Sequence, residues 1–290
     1  MKKIALLLLF PLALMATVNE PWRWELLSGY RNDFLHWHLN PNSGMQQSEK
    51  FRDVEFWDNQ LTYKVIHRDI VFYINGGYSA FGRGTLQEKL SDLPFTPLPQ
   101  QFKFSTSGWA IDGSSYLGYA VNLTADRTYK VILMPLLGYS GHYLRVKGSG
   151  TKSSPEVAVN YPNPTKQTWY GLSAGGGIKI EPGGRLLFDV GYQYHWLHLV
   201  FKSQFQEVFG ATTQVNTLKT KRGSNLGHSG WARMDYQLDR FWRVGAVGTL
   251  NYYVSQHYTV KQHQNDNVVE AKFKLRWTSF SLLFALSREI

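Results

Sequence analysis

The chain has 290 residues, no cysteine and a formal net charge of +10, with 15% aromatic and only 18% charged side chains. The missing cysteines exclude disulfides, thiol chemistry and a lipoprotein-type anchor. Abundant aromatics, 26 glycines and a mean hydropathy of -0.31, with no apolar run after the N-terminus long enough for a spanning helix, argue against both a soluble enzyme and a helical membrane protein.

In chain order, the first sixteen residues, MKKIALLLLFPLALMA, set Lys2 and Lys3 ahead of an apolar run and end on small Ala16. This is the plan of a cleaved secretory signal peptide. Residues 17–27 read as a short periplasmic segment, and 28–290 as one domain of two-faced strands. In RLLFDVGYQYHW, Leu186, Phe188, Val190, Tyr192, Tyr194 and Trp196 share one face, and Asp189, Gly191, Gln193 and His195 the other. Ten such strands are predicted, at 28–39, 54–66, 70–82, 102–124, 128–147, 168–181, 185–206, 226–238, 241–260 and 270–288.

The connections sort by length. Tight turns are predicted at 67–69, 125–127, 181–184 and 239–240, and long polar loops at 40–53, 83–101, 148–167, 207–225 and 261–269. Short and long alternate throughout. That is the plan of an all-β fold, a ten-stranded antiparallel transmembrane up-and-down β-barrel with short periplasmic turns and long outer loops. The final stretch fits a closing strand: Phe280, Leu282, Phe284, Leu286 and Ile290 on one face, Ser279, Ser281, Ala285, Ser287 and Glu289 on the other. A closing strand leaves no unpaired edge in lipid. The stretch resembles the C-terminal signal read by barrel-insertion machinery, with Ile290 in place of the usual aromatic. Trp37, Trp57, Tyr63, Tyr139, Trp169, Tyr192, Trp196, Trp242 and Tyr252 are the candidates for interfacial girdles.

Ten long strands with five large outer loops resemble the omptins, the outer-membrane proteases, and TYKVILMPLLGYSGHYLRVKGSG through WYGLSAGGGIKI follows the middle of that layout. The first strand, WELLSGYRNDFLHWHL, resembles the outer-membrane protein family named for Protochlamydia. Omptins activate a water with an Asp-x-Asp pair facing an Asp-x-His pair. At the matching places this chain offers Glu88 and Asp92, then Glu207 without a histidine, so the resemblance implies the barrel without its catalytic groups.

Other candidate chemistry is sparse. His228 and Ser229 are adjacent, so a strand points them to opposite faces and disfavours a relay. His36 and His38 share a face and could pinch a metal with His195, yet no carboxylate pair supports them; the expectation is no metal and no cofactor. Lys64, Asp112, Lys130, Lys179, Asp189, His195, Arg233, Asp235 and Arg243 fall on inward rows and read as a self-neutralising lumen network. Outward, Arg145, Lys147, Lys152, Lys219, Lys221 and Arg222 are candidate contacts for lipopolysaccharide phosphates or an acidic external protein or glycan. A structural or surface-interaction role is expected, without nucleic acid; an outer-membrane hydrolase with an unrecognised site and a narrow pore are the alternatives. The proline-rich loop at 91–102 would either present Phe95 and Leu98 to a partner or cap the lumen.

Overall fold

The computed structural model describes residues 22–41, 46–91, 100–124, 129–153, 157–209, 212–256, 258–264 and 267–290. The signal peptide, the turn at 125–127, Asp92, Phe95, Leu98 and the side chains of Lys221 and Arg222 lie outside the described residues.

Among these residues fourteen strands form one sheet: β1 (Trp22–Pro41), β2 (Gln46–His67), β3 (Ile70–Ser91), β4 (Gln100–Tyr119), β5 (Val121–Asn122), β6 (Lys130–Ser149), β7 (Thr151–Ser153), β8 (Ala158–Asn160), β9 (Thr165–Glu181), β10 (Leu186–Phe209), β11 (Thr212–Gln237), β12 (Trp242–Val254), β13 (Tyr258–Gln264) and β14 (Asn267–Glu289). All pairings are antiparallel. β1 pairs with β2 on one side and with β14 on the other, so the succession of neighbours returns to its start. The closure reaches the last residue, where the Ile290 N–H donates to the Trp22 carbonyl at 2.9 Å and the Trp22 N–H to the Ile290 carbonyl at 3.2 Å. The predicted closing strand therefore has both edges filled.

One end carries short turns, at 68–69, 182–185 and 238–241. In the last of these, Asp239 Oδ1 accepts the backbone N–H groups of Phe241 and Trp242 at 2.7 Å each, a side chain replacing backbone partners. The other end differs from the sequence reading. Most of the predicted long loops are strand: β1 runs to Pro41, β2 starts at Gln46, β3 runs to Ser91, and β10 and β11 meet across 210–211. β1 also starts at Trp22, six residues before the predicted first strand.

The cause is that long strands such as β1 and β14 exchange which of their two faces is apolar partway up. On the lower part of β1, Trp22, Trp24, Leu26, Tyr30 and Phe34 face out while Glu25, Arg31 and Asp33 are buried inside. Above Phe34 the apolar side chains Leu35, Trp37 and Leu39 turn in, and His36, His38 and Asn40 turn out. β14 repeats this, with exposed Phe280, Leu282, Phe284 and Leu286 below and buried Phe273, Leu275 and Trp277 above. Ser279, Ser281 and Ser287 are the buried inward partners of that lower apolar row. Register shifts cluster at the boundary, between Asp33 and Leu35, Arg52 and Glu55, Ser79 and Gly82, and Leu197 and Leu199. Asp53, Phe81 and Ser224, with φ of 51, 58 and 62°, sit in these irregularities. A bulge moves a strand's phase by one residue. β1 and β14 nevertheless keep odd-numbered residues inward through both tiers and exchange which row is apolar, so one apolar-out rule cannot describe both tiers.

The inversion also corrects the girdle. Trp37 and Trp169 are fully buried in the upper core rather than on the outer surface. Tyr63 lies under the rings of Trp22 and Trp24, with centroids 5.7 and 4.7 Å away. Trp57, Tyr139, Tyr192, Trp196 and Tyr252 are exposed on the outer face, as expected.

Candidate functional site

The lower tier encloses a cavity of about 230 Å³. Lys64, Asp112, Lys179, Asp189, His195, Arg233 and Asp235 line it, whereas Lys130 pairs opposite Glu181 and Arg243 bonds Glu289 at 3.0 Å, both at the turn end. Two further arginine centres organise the interior. Arg23 forms an ion pair with Glu25 at 2.8 Å and a hydrogen bond to Asp235 at 3.1 Å; Arg233 bonds Asp235 at 2.8 Å and also reaches Glu25. The four charges form an alternating ring. Higher up, Arg31 holds Asp33 with two hydrogen bonds of 2.8 and 3.0 Å, Ser79 at 3.0 Å, and Asp112. Planar guanidinium matches a carboxylate edge, which makes this the strong form of ion pair.

Asp112 continues the network into the roof of the cavity. Its second oxygen accepts from His142 Nδ1 at 2.8 Å, and His142 Nε2 accepts from the Tyr253 hydroxyl at 2.6 Å. Tyr253 is fully buried, and its ring lies 4.9 Å from Trp277 and 5.8 Å from Trp169. The polar network thus ends against an aromatic floor. Arg23, Glu25, Arg31, Asp33, His142 and Tyr253 were missed as site residues. The signal was present in the R-x-E and R-x-D spacing of RWELLSGYRND, once β1 is extended to Trp22.

His195 sits between two hydroxyls, Ser140 at 3.1 Å from Nδ1 and Ser229 at 2.9 Å from Nε2, and Ser229 donates to Asn251 at 2.7 Å. This is the serine–histidine geometry of the cavity wall. Its partner set lacks a carboxylate to stabilise an imidazolium, so it makes a weak general base. His228 faces out, as predicted, stacked on Tyr252 with Tyr192 tilted and Tyr194 edge-on beside it. His36 and His38 also face out and share no site with inward His195. Trp231 fills space that only glycine leaves: a Cβ on Gly191 would lie 2.0 Å from its ring, and its Nε1 donates to Asp189 at 2.8 Å.

Above the cavity the interior is filled. Trp37 packs on Phe201, Phe273 and Phe205 at 5.9, 6.2 and 6.4 Å, within a cluster that also buries Phe51, Leu86 and Phe104. Glu49, Glu88 and Glu207 are buried in this apolar tier. Glu49 lies directly opposite Glu88 across β2 and β3; Tyr161 donates to Glu49 at 2.9 Å and Gln47 to Glu88 at 2.7 Å. Burial pushes the Glu88 carboxyl up to about 7 against those hydrogen bonds, and burial with the neighbouring Glu88 raises Glu49 further. Glu88 and Glu207, the nearest counterparts of the omptin carboxylates, are thus sealed in rather than set along a cleft.

These carboxyls make the upper tier sensitive to pH. The folded form holds protons that the unfolded chain releases near 4.5, so their contribution is fully present below that value and is lost as pH rises toward 7. Hydrogen exchange at the upper amides of β2 and β3, corrected for intrinsic rates, is expected to quicken between pH 5 and 7. Glu88→Gln should flatten the rise. An equally steep profile in the variant would show that Glu88 is not responsible.

On the outside of the upper tier, Arg145 lies opposite Lys166, Lys166 opposite Lys202, and Lys202 opposite Lys219. Lys166, Lys202 and Lys219 are exposed and Arg145 half-buried beside Trp109. Among the described residues none of the four forms an ion pair with a carboxylate. Like charges directly opposite one another are unfavourable. An external anion would relieve them. Lys147 and Lys152 are exposed nearby.

The sequence matches the family model described as Protochlamydia outer membrane protein over residues 25–290. No curated protein matches it. The fold is similar to the outer membrane protease OmpT from Escherichia coli, with a TM-score of 0.67 at 12% identity, covering 93% of this chain and 97% of that one. The translocator domain of the autotransporter NalP from Neisseria meningitidis aligns at 12% identity over 97% of both chains with a TM-score of 0.39.

Proposed function

The chain belongs to the Protochlamydia outer membrane protein family, and from that premise we propose that it is a ten-stranded transmembrane barrel with a non-catalytic, surface-interaction role. In this reading β5 and β13 continue β4 and β12, and the β7–β8 hairpin decorates the outer end. The lower apolar belt faces lipid, the short turns face the periplasm, and the inverted upper tier stands in water as a closed head. Export through a signal peptide cleaved near Ala16 is part of the same reading.

The observation that carries the surface role is the unpaired row Arg145, Lys166, Lys202 and Lys219 on the head. Its spacing across four neighbouring strands suits a ligand with several negative charges, such as the phosphates of lipopolysaccharide or an acidic glycan or protein surface. Lys147 at the top of β6 and Lys152 of β7 extend it; Lys221 and Arg222 are proposed to do the same. The filled head supports this reading over a pore, and the absence of a carboxylate behind His195 supports it over a hydrolase.

Binding of lipopolysaccharide to the refolded barrel is expected to weaken steeply between low and physiological salt. The triple substitution K166Q/K202Q/K219Q should weaken it about tenfold or more, since charge-assisted contacts are each worth about 1.5–3 kcal/mol. Binding indifferent to both salt and substitution would defeat the proposal. Turnover of a quenched-peptide library, abolished by Ser229→Ala, would replace it with the hydrolase reading.

A further inference from the structure

The buried glutamates of the head have no base beside them. Among the described residues no lysine, arginine or histidine is buried in the upper tier, and neither Glu49 nor Glu88 forms an ion pair. Glu207 adds a third negative charge that acts on Glu49 from β10. Carboxylates taken out of water must be neutralised by a proton, a basic partner or a metal ion.

The atoms left over at this cluster point to the metal ion. Glu49 Oε2, Glu88 Oε2 and the Gln47 carbonyl Oε1 are buried acceptors without a donor. Gln47 is only 2% exposed. Its amide nitrogen lies 2.7 Å from Glu88 and 3.4 Å from Glu49, so a half-turn of the amide sets Oε1 against both carboxyls. The Tyr161 hydroxyl, 2.9 Å from Glu49, brings a fourth oxygen-bearing side chain. Among the described residues no three His, Cys, Asp or Glu side chains converge as a metal centre, which argues against a zinc-type site. Carboxylate, amide and hydroxyl oxygens are instead the ligands of a hard cation.

We propose that Glu49, Glu88 and Gln47, with the Tyr161 hydroxyl, bind one calcium ion in the head. Two carboxylates balance its charge, and calcium accepts the irregular mixed oxygen set that magnesium, with its strict octahedron, does not. The ligands on β2 and β3 lie one to three residues from the outer ends of their strands, at most about 10 Å, so an ion from the outer medium has a short way in. Binding ties β2 and β3 to the segment between β8 and β9 that carries Tyr161. The spacing of the sequence conceals the site, because Glu49 and Glu88 meet only through register.

The test uses the full mature chain refolded in a phosphate-free nonionic detergent, stripped with a chelator and held at mildly alkaline pH. Terbium is the probe, since Trp37 lies directly opposite Glu49 and can sensitise its luminescence. Calcium should displace terbium with a dissociation constant of about 0.1–1 mM, the range of extracellular calcium modules, and should raise the thermal midpoint. E49Q/E88Q should keep its heat-modifiable gel mobility, lose the thermal rise and bind at least about tenfold more weakly. Q47M should weaken binding too, whereas K166Q/K202Q/K219Q should leave it unchanged. Wild-type calcium affinity in E49Q/E88Q would overturn the site. If that variant does not refold, Q47M decides, and unchanged affinity there overturns the site. A wild-type midpoint indifferent to calcium and chelator would show that protons alone neutralise the pair, and an equal rise from magnesium would overturn the choice of calcium.

Discussion

Replacing Arg31 with methionine is expected to destabilise the folded barrel by about 3–5 kcal/mol, the usual consequence of removing one partner from a buried ion pair. Arg31 is buried and holds Asp33, Asp112 and Ser79 together. Methionine fills most of its volume but leaves Asp33 buried without the guanidinium, and detaches Asp112 from its strongest partner. The denaturant midpoint of the heat-resistant form reads the loss. Adding Asp33→Asn and Asp112→Asn should restore part of it, because neutral partners no longer need the missing cation. A change below about 1 kcal/mol for Arg31→Met would mean that water, not Arg31, satisfies the two carboxylates.

Trp37→Ala is expected to be as severe, at about 3–5 kcal/mol, since it opens a large cavity in the upper core. The contrast is with Trp57→Ala. Trp57 is 54% exposed on the outer face and Trp37 is 0% exposed. Loss of Trp57 should therefore fall within about 1 kcal/mol in the same measurement. The reverse order would mean that Trp37 belongs to a girdle and that the upper tier is not a filled core.

The contrast between these two tryptophans shows where the sequence is legible. Alternation locates the lower tier well because its strands repeat apolar-out and polar-in, as in RLLFDVGYQYHW and FSLLFALSREI. The same template hides the upper tier. In LHWHL the apolar residues are Leu35, Trp37 and Leu39, and an apolar-out rule sends all three to the wrong side. Bulges at the boundary conceal the change further, since a one-residue phase shift and an inversion of sidedness look alike in the sequence. Polar stretches such as QQSEK and TLQEKLS then read as loops, although they continue β2 and β3.

The candidate site was legible in part for a related reason. Lys64, Asp112, Asp189, Arg233 and Asp235 fall on inward rows that alternation identifies, whereas Arg23 and Glu25 lie before the predicted strand start. Cross-strand partners are less accessible to sequence reasoning. The pairing of His195 with Ser229, and the succession Arg145, Lys166, Lys202 and Lys219, depend on register. Register is set by how two strands meet, and neither strand encodes it alone.

The natural absence of cysteine makes the two-tier architecture directly measurable. Single cysteines at outward positions Leu282, Leu250 and Leu172 of the lower tier, and Lys166, Lys202 and Arg276 of the upper tier, would each carry a nitroxide in the refolded, vesicle-inserted chain. Labels at the three leucines should be accessible to oxygen and shielded from a water-soluble nickel reagent. Those at Lys166, Lys202 and Arg276 should show the opposite. Uniform nickel accessibility at all six positions would contradict the membrane-spanning lower tier; uniform oxygen accessibility would contradict a head standing in water.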